Sequence, residues 1–387
     1  MYSPAELDFI ITNRQLVEDV IAERMSQGPL TKVSQLADAK FFRDSLQGED
    51  AARAVLELAT ARANAADKFP IGWLMDHDSA QQATSNQVIA QRGVRIAHAF
   101  PQGVVHDVTC SIGTESALMG DGLRYIGSDI DQQRLRMARE NNPDAAWFRG
   151  DATTMTSNAD VIIADPARRS QGRRIARPED LIPPLPVLLD LYKGRPMAIK
   201  CAPGLDFSEW DGVVSVVSVR GGVKEACLYT PEFSFQGESR EACVIRADGV
   251  DIVTDAIEAS VPAAEPGRFI LDPDGAIVRA GLVQHFAARE GLWMLDPQIA
   301  FLTGERIPTG YSGFEFIQTC SLKKLRPTLK ELDAGSAEIL VRGVDVDPDK
   351  LRKTLKLRGK RAMTVVCTRI GRQGIALICG SRQWSGD

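Results

Sequence analysis

The feature that most constrains this chain is a series of short apolar segments that alternate with helical ones. Segments 104–108, 125–129, 145–149, 160–164 and 197–200 read as strands, and 132–141 and 185–192 read as helices. That alternation predicts a doubly wound α/β sheet of parallel strands. Ligands approach such sheets at the carboxyl edge, so the residues that close these strands are the candidates for chemistry. Three later strands, 213–219, 223–229 and 242–245, have no helix among them and predict an antiparallel edge, with Gly221-Gly222 turning the first into the second.

The 387 residues leave room for two or three domains. Residues 1–70 read as a helical domain. Ser3, Pro4 and Glu6 open a helix over 3–26 in capping-box order, and helices over 31–39 and 50–66 follow. A helical stretch over 81–99 leads into the sheet, within a central domain spanning 71–255. Residues 256–310 read as a connector packed on that domain, with turn signals at Asp272-Pro273-Asp274-Gly275 and a helix over 277–289. The end, 311–387, reads as a small α/β module with strands 313–318, 337–342, 362–368 and 374–379 and helices 322–332 and 348–357.

Charge separates the two ends. The chain carries a net charge of −5, yet 321–372 holds fourteen Lys and Arg against six Asp and Glu, which suits a polyanionic partner. Seven scattered cysteines without CxxC spacing exclude a disulfide framework and a zinc ribbon, and four distant histidines argue against a metal site. The thiols point to a reducing, cytoplasmic compartment. No apolar run is long enough for a membrane helix, and the first residues lack the pattern of a signal peptide.

Four strand ends carry the chemistry. The turn from His106 to Glu115 is built of small residues that let the backbone approach a ligand, though its single Gly113 fails the GxGxxG pattern. Asp129 closes the next strand about twenty residues on, where a carboxylate accepts from ribose hydroxyls; Asp131 is placed to cap the following helix. Asp151 follows the third strand and can accept from an adenine amine. The fourth strand delivers Asp165-Pro166-Ala167-Arg168-Arg169.

In that order the four pieces resemble class I S-adenosylmethionine-dependent methyltransferases, with their Rossmann-like sheet. The resemblance implies a methionine-binding loop with Asp107, Cys110, Ser111, Gly113, Thr114 and Glu115. It implies a ribose site at Asp129 and Ile130, an adenine side at Asp151 and Ala152, and a catalytic loop with Asp165, Pro166 and Arg168. Gln82-Ala83-Thr84 with 88–92 resembles the segment that covers the cofactor in RNA-modifying members, so Gln82 and Thr84 join the implied cofactor contacts. The whole chain resembles a bacterial methyltransferase family with a helical N-terminus and a C-terminal THUMP-like domain. Segments 165–169, 277–282, 295–297 and 341–348 carry that likeness. THUMP domains imply RNA, usually tRNA.

The motif departs from its exocyclic-amine form, because Arg168 stands where those enzymes place an aromatic residue. This favours a ring nitrogen as the methyl acceptor. Uracil C5 chemistry needs a cysteine nucleophile. Lys200-Cys201-Ala202-Pro203 loosely resembles that motif, and Cys201 is read as a packed residue instead. Arg168, Arg169, Arg173 and Lys200 are expected on the RNA near the site, with Arg174 and Arg177 beside them. Arg352, Lys356 and Arg358 form an expected phosphate track, the first two sharing a helical face. Asp76-His77-Asp78 is a lesser candidate. The expected function is transfer of a methyl group from S-adenosylmethionine to a base in structured RNA, tRNA more than rRNA. The rivals are a catalytically silent RNA-binding protein of this fold and a small-molecule or protein methyltransferase.

Overall fold

The computed structural model describes residues 1–387 except Asp67, Arg168, Gln171, Gly172, 175–177 and 386–387. The chain forms two compact units, one of Met1–Gly212 with Cys227–Phe233 and one of Val213–Ala226 with Ser234–Asp387. Among the described residues no helix is long and apolar enough to cross a membrane.

The first unit begins with helices α1 (Pro4–Thr12), α2 (Arg14–Ser26), α3 (Gln35–Ser45) and α4 (Glu49–Asn64). The capping box is present: Glu6 N–H donates to Ser3 Oγ at 3.3 Å and Ser3 N–H to the Glu6 carboxylate at 2.8 Å. Asn13 divides the helix that the spacing predicts over 3–26, its side-chain amide donating to the Phe9 carbonyl at 3.0 Å. The segment 81–99 is likewise two helices, α5 (His77–Gln82) and α6 (Asn86–Ala99), because Asp76 caps the first through Ser79 and Ser85 opens the second. Asp76-His77-Asp78 is therefore a helix start, with Asp76 fully buried.

The sheet follows: β1 (Val104–Asp107), β2 (Arg124–Asp129), β3 (Ala146–Arg149) and β4 (Val161–Ala164), with α7 (Gln132–Asn141) between β2 and β3. A two-residue ribbon, β5 (Arg169–Ser170) and β6 (Arg173–Arg174), leads to α8 (Leu185–Leu191) and β7 (Met197–Cys201). The order is β7-β4-β1-β2-β3, every pair parallel, as the alternation predicts. The strand ends at Asp107, Asp129, Ala164 and Cys201 thereby share one edge.

The N-terminal helices and the sheet are one core. Leu7, Ile10, Val17, Val55 and Leu58 pack in a cluster that also takes Ile112 from the loop after β1 and Met137 from α7. Asn141 closes the seam, accepting from Leu74 N–H at 2.6 Å and donating to the Leu74 and Ile112 carbonyls at 2.9 and 3.1 Å.

The second unit departs further from expectation. Strand β8 (Val213–Val219) precedes β9 (Gly222–Tyr229), whose residues fall on both sides of the division, and β10 (Arg240–Ile245) runs parallel to β8. The antiparallel partner of β10 is β11 (Val250–Thr254), which the sequence pattern does not reveal because only Val253 of its five residues is buried.

The stretch 256–310 is not merely a connector. It supplies β12 (Phe269–Leu271), α9 (Gly275–Arg279), α10 (Val283–Glu290), β13 (Trp293–Asp296) and β14 (Ile299–Gly304). With β15 (Ser312–Ser321), α11 (Leu325–Glu331), β16 (Ala334–Val341), α12 (Pro348–Leu355), β17 (Arg361–Ile370) and β18 (Gln373–Trp384), these strands build a seven-stranded sheet ordered β13-β14-β12-β15-β18-β17-β16. Because β12 pairs with both β14 and β15, a chain cut near Gly310 would tear this sheet. The predicted helix over 277–289 is interrupted at Gly281, which takes φ +76°.

Replacing Ile112 by Ala should remove a fully buried side chain from the shared core and cost about 2–4 kcal/mol. Denaturant unfolding checks this. A loss under about 0.5 kcal/mol would mean the loop is not anchored by the helical layer.

Candidate active site

The site is built where β1, β2, β4 and β7 end. Asp107 is buried. It accepts from Thr109 N–H at 3.1 Å and from the Tyr125 hydroxyl at 3.0 Å. Burial, with Glu115 close by, pushes its carboxyl up to about 7. The chain then turns sharply: Ser111 has φ +49° and Gly113 φ +85°. A side chain at Gly113 would stand 2.5 Å from the Trp147 ring, and one at Gly127 2.3 Å from it, so both glycines make room for the indole beneath the loop. That explains a single loop glycine without dinucleotide spacing.

Asp129 ties this turn to β2. One of its oxygens accepts from Ser111 N–H at 2.9 Å, the other from Asp131 N–H at 2.8 Å. Burial raises its carboxyl pKa while these N–H donors pull the other way. Each oxygen keeps a lone pair for a hydroxyl. Beside it Ile130 is 62% exposed, an apolar face next to a polar clamp. Asp131 caps α7 through Gln133 and Arg134, as its place in the sequence predicts. Asp151 is exposed and turns back on Thr153 N–H at 2.9 Å, which holds its carboxyl below the usual range. Neighbouring Ala152 is buried, its carbonyl accepting from Tyr192 at 3.3 Å.

Asp165, past the end of β4, is held twice. Its N–H donates to Thr109 Oγ1 at 2.6 Å, and its Oδ2 lies 2.7 Å from Lys200 Nζ. Lys200 also lies 3.3 Å from Glu115, and Arg92 of α6 reaches both Glu115 oxygens at 2.6 and 2.7 Å. A buried chain of charges therefore runs from α6 through the segment after the loop to the Asp-Pro motif.

Several expected contacts fall elsewhere. Lys200 is buried, so it faces no RNA phosphate. Glu115 and Thr114 are also buried, and Glu115 belongs to the ion-pair chain. Cys110 reaches the site through its backbone, which bonds Ser128, while burial pushes its thiol well up. Gln82 is exposed at the end of α5 and Thr84 is buried in the turn before α6. Arg168 and the side chains of Arg169, Arg173 and Arg174 lie outside the described residues, as does Arg177. Cys201 is buried. His106 is a core residue, bonded to Ser128 at 2.9 Å and Ser157 at 2.8 Å, and burial lowers its pKa to about 4. Helix α12 stops at Leu355 and Lys356 takes φ +48°, so Arg352 and Lys356 do not share a helical face. Sequence reasoning missed Thr109, Arg92 and the pairing of Lys200, although a lysine near the end of β7 beside the acid that follows β4 is a visible complement.

With this geometry established, comparison with known proteins is informative. Residues 312–381 match the family model described as THUMP domain-like. An uncharacterized S-adenosylmethionine-dependent methyltransferase of Mycobacterium tuberculosis strain H37Rv is 45% identical over 311 residues, covering 77% of this chain and 85% of the relative. Its counterpart in strain CDC 1551 gives the same figures. A crystal structure of a candidate methyltransferase from Porphyromonas gingivalis W83 shares the fold, with a TM-score of 0.69 at 18% identity over 92% of this chain and 100% of that one. The chain belongs to the S-adenosylmethionine-dependent methyltransferases, and S-adenosylmethionine is its cofactor.

The strand ends fit that cofactor. Asp129 could accept from the two ribose hydroxyls with the lone pairs its backbone donors leave, the exposed Ile130 could pack against the base, and buried Asp107 beside the 109–113 loop could take the cationic methionine end. Asp129→Ala should weaken binding of S-adenosylhomocysteine about ten- to a hundredfold by calorimetry, the value of a lost charged hydrogen bond; unchanged affinity would remove Asp129 from the site.

Asp107 adds a pH dependence. Its raised pKa disfavours the ionised form in the folded protein, so its contribution to stability is present below the unfolded carboxyl range and fades as pH rises from about 4 to 7. Binding a cation reverses the preference. Affinity for the cofactor should therefore rise between pH 6 and 8, and Asp107→Asn should flatten the rise; a profile identical in the variant would contradict this.

Proposed function

We propose that this methyltransferase acts on a base of structured RNA, tRNA rather than rRNA, at a ring nitrogen. The observation that carries it is the joining of a methyltransferase site to a region matching a THUMP domain-like family and rich in Lys and Arg. Arg168 in the fourth motif position supports a ring nitrogen over an exocyclic amine. The scattered thiols support a cytoplasmic setting.

In this reading the target base leaves its stack to reach the strand edge. The cofactor supplies a methyl group on a sulfonium, already activated for displacement. Asp165 orients the acceptor N–H with its carboxylate and takes its proton as the new N–C bond forms and the methyl–sulfur bond breaks, Thr109 fixes the backbone of Asp165, and Pro166 stiffens the turn. Most of the rate comes from alignment. Arg168, Arg169 and Arg173 follow that motif and neutralise RNA phosphates, while Arg352, Lys356 and Arg358 form a second phosphate contact area on and just after α12.

Nucleosides from tRNA and rRNA of a deletion strain, compared by mass spectrometry with the parent, test the reading directly. One methylated tRNA base should vanish and return on complementation, but not with Asp165→Ala. Unchanged RNA would leave the rival small-molecule, protein or catalytically silent readings. Neutralising Arg352, Lys356 and Arg358 together should lower affinity alike for all RNA sequences. The slope of log affinity against log salt should shrink by about 2–3. An unchanged slope would take these residues off the RNA.

A further inference from the structure

We infer that Lys200 is a positioning residue for methyl transfer, setting the Asp165 carboxylate on a buried platform made by Glu115 and Arg92. This rests on the reading of Asp165 as the group that orients the acceptor.

The contact lengths assign the charges. Arg92 sits on both Glu115 oxygens at 2.6 and 2.7 Å, whereas Lys200 stands 3.3 Å from Glu115 and only 2.7 Å from Asp165. Glu115 is thus balanced first by Arg92, and the ammonium of Lys200 is directed to Asp165. The side chains of Arg92, Glu115 and Lys200 are 1%, 3% and 4% exposed, and that of Asp165 is 26% exposed. The chain of charges reaches the surface at its last member, where an acceptor arrives.

Burying an ammonium costs several kcal/mol unless close partners repay it, so a lysine here needs both carboxylates. With its backbone fixed by Thr109 and one oxygen held by Lys200, Asp165 has, among the described residues, one carboxylate oxygen left for substrate. Misplacing such a group by about 1 Å can cost a hundredfold in rate while leaving cofactor contacts intact.

The test uses the full-length protein and its Lys200→Met variant. Three readouts are needed: calorimetric affinity for S-adenosylhomocysteine, single-turnover transfer of labelled methyl to total RNA from a deletion strain, and a crystal structure of the variant with S-adenosylhomocysteine. Affinity should stay within about threefold and transfer should fall at least a hundredfold at saturating cofactor and RNA. The Asp165 carboxylate should leave its wild-type position. Lys200→Gln, which keeps an uncharged NH2 donor group, should fall between the two and serves if Lys200→Met does not fold. Wild-type transfer rates, an unmoved Asp165, or a rate loss matched by lost affinity would each overturn the assignment. If the wild-type protein itself moves no label into RNA, the RNA reading fails, and the position of Asp165 in the variant crystal still decides the role of Lys200.

Discussion

The buried ion pair between Arg92 and Glu115 is the interaction on which the rest of the site depends. Two full charges out of water are tolerable only as a well-formed pair, and removing one partner of such a pair costs about 3–5 kcal/mol. Glu115 follows the 109–113 turn proposed to receive the cofactor, and through Lys200 it touches the Asp-Pro motif. Thr109 provides a second route, accepting from Asp165 N–H and lying two residues from Asp107. The 109–113 turn and the Asp-Pro segment are therefore braced against each other by side chains.

The same logic gives the N-terminal helices a purpose. Their apolar cluster holds Ile112 and Met137, and Asn141 joins Leu74 to the Ile112 carbonyl. A loop containing a non-glycine residue at positive φ pays for that strain only if its surroundings fix it. The helical layer and the Trp147 ring supply the fixing from two sides. In the second unit, Asp296 performs a comparable local task, accepting from Gln298 N–H at 2.9 Å and Gly371 N–H at 2.7 Å to fasten the turn after β13 to the β17–β18 hairpin.

Much of this was legible in the sequence, where short-range rules operate. The parallel strands β1 to β4 and β7, the capping box at Ser3 and the cap at Asp131 all follow from local pattern. What stayed hidden depends on distant partners. Lys200 reads as a surface cation until Asp165 and Glu115 are brought to it from 35 and 85 residues away. Strand β12 has only three residues and is recognisable as a strand only beside β14 and β15. Lys356 looks helical by spacing, but the chain leaves the helix there in a left-handed conformation.

The most direct test of the account is a crystal structure with S-adenosylhomocysteine bound at pH 8. The account predicts both ribose hydroxyls on Asp129, the base against Ile130, the sulfur between the 109–113 loop and Asp165, and Lys200 still paired with Asp165. A ligand seated away from Asp129, or a Lys200 ammonium released from Asp165 when the pocket fills, would contradict it.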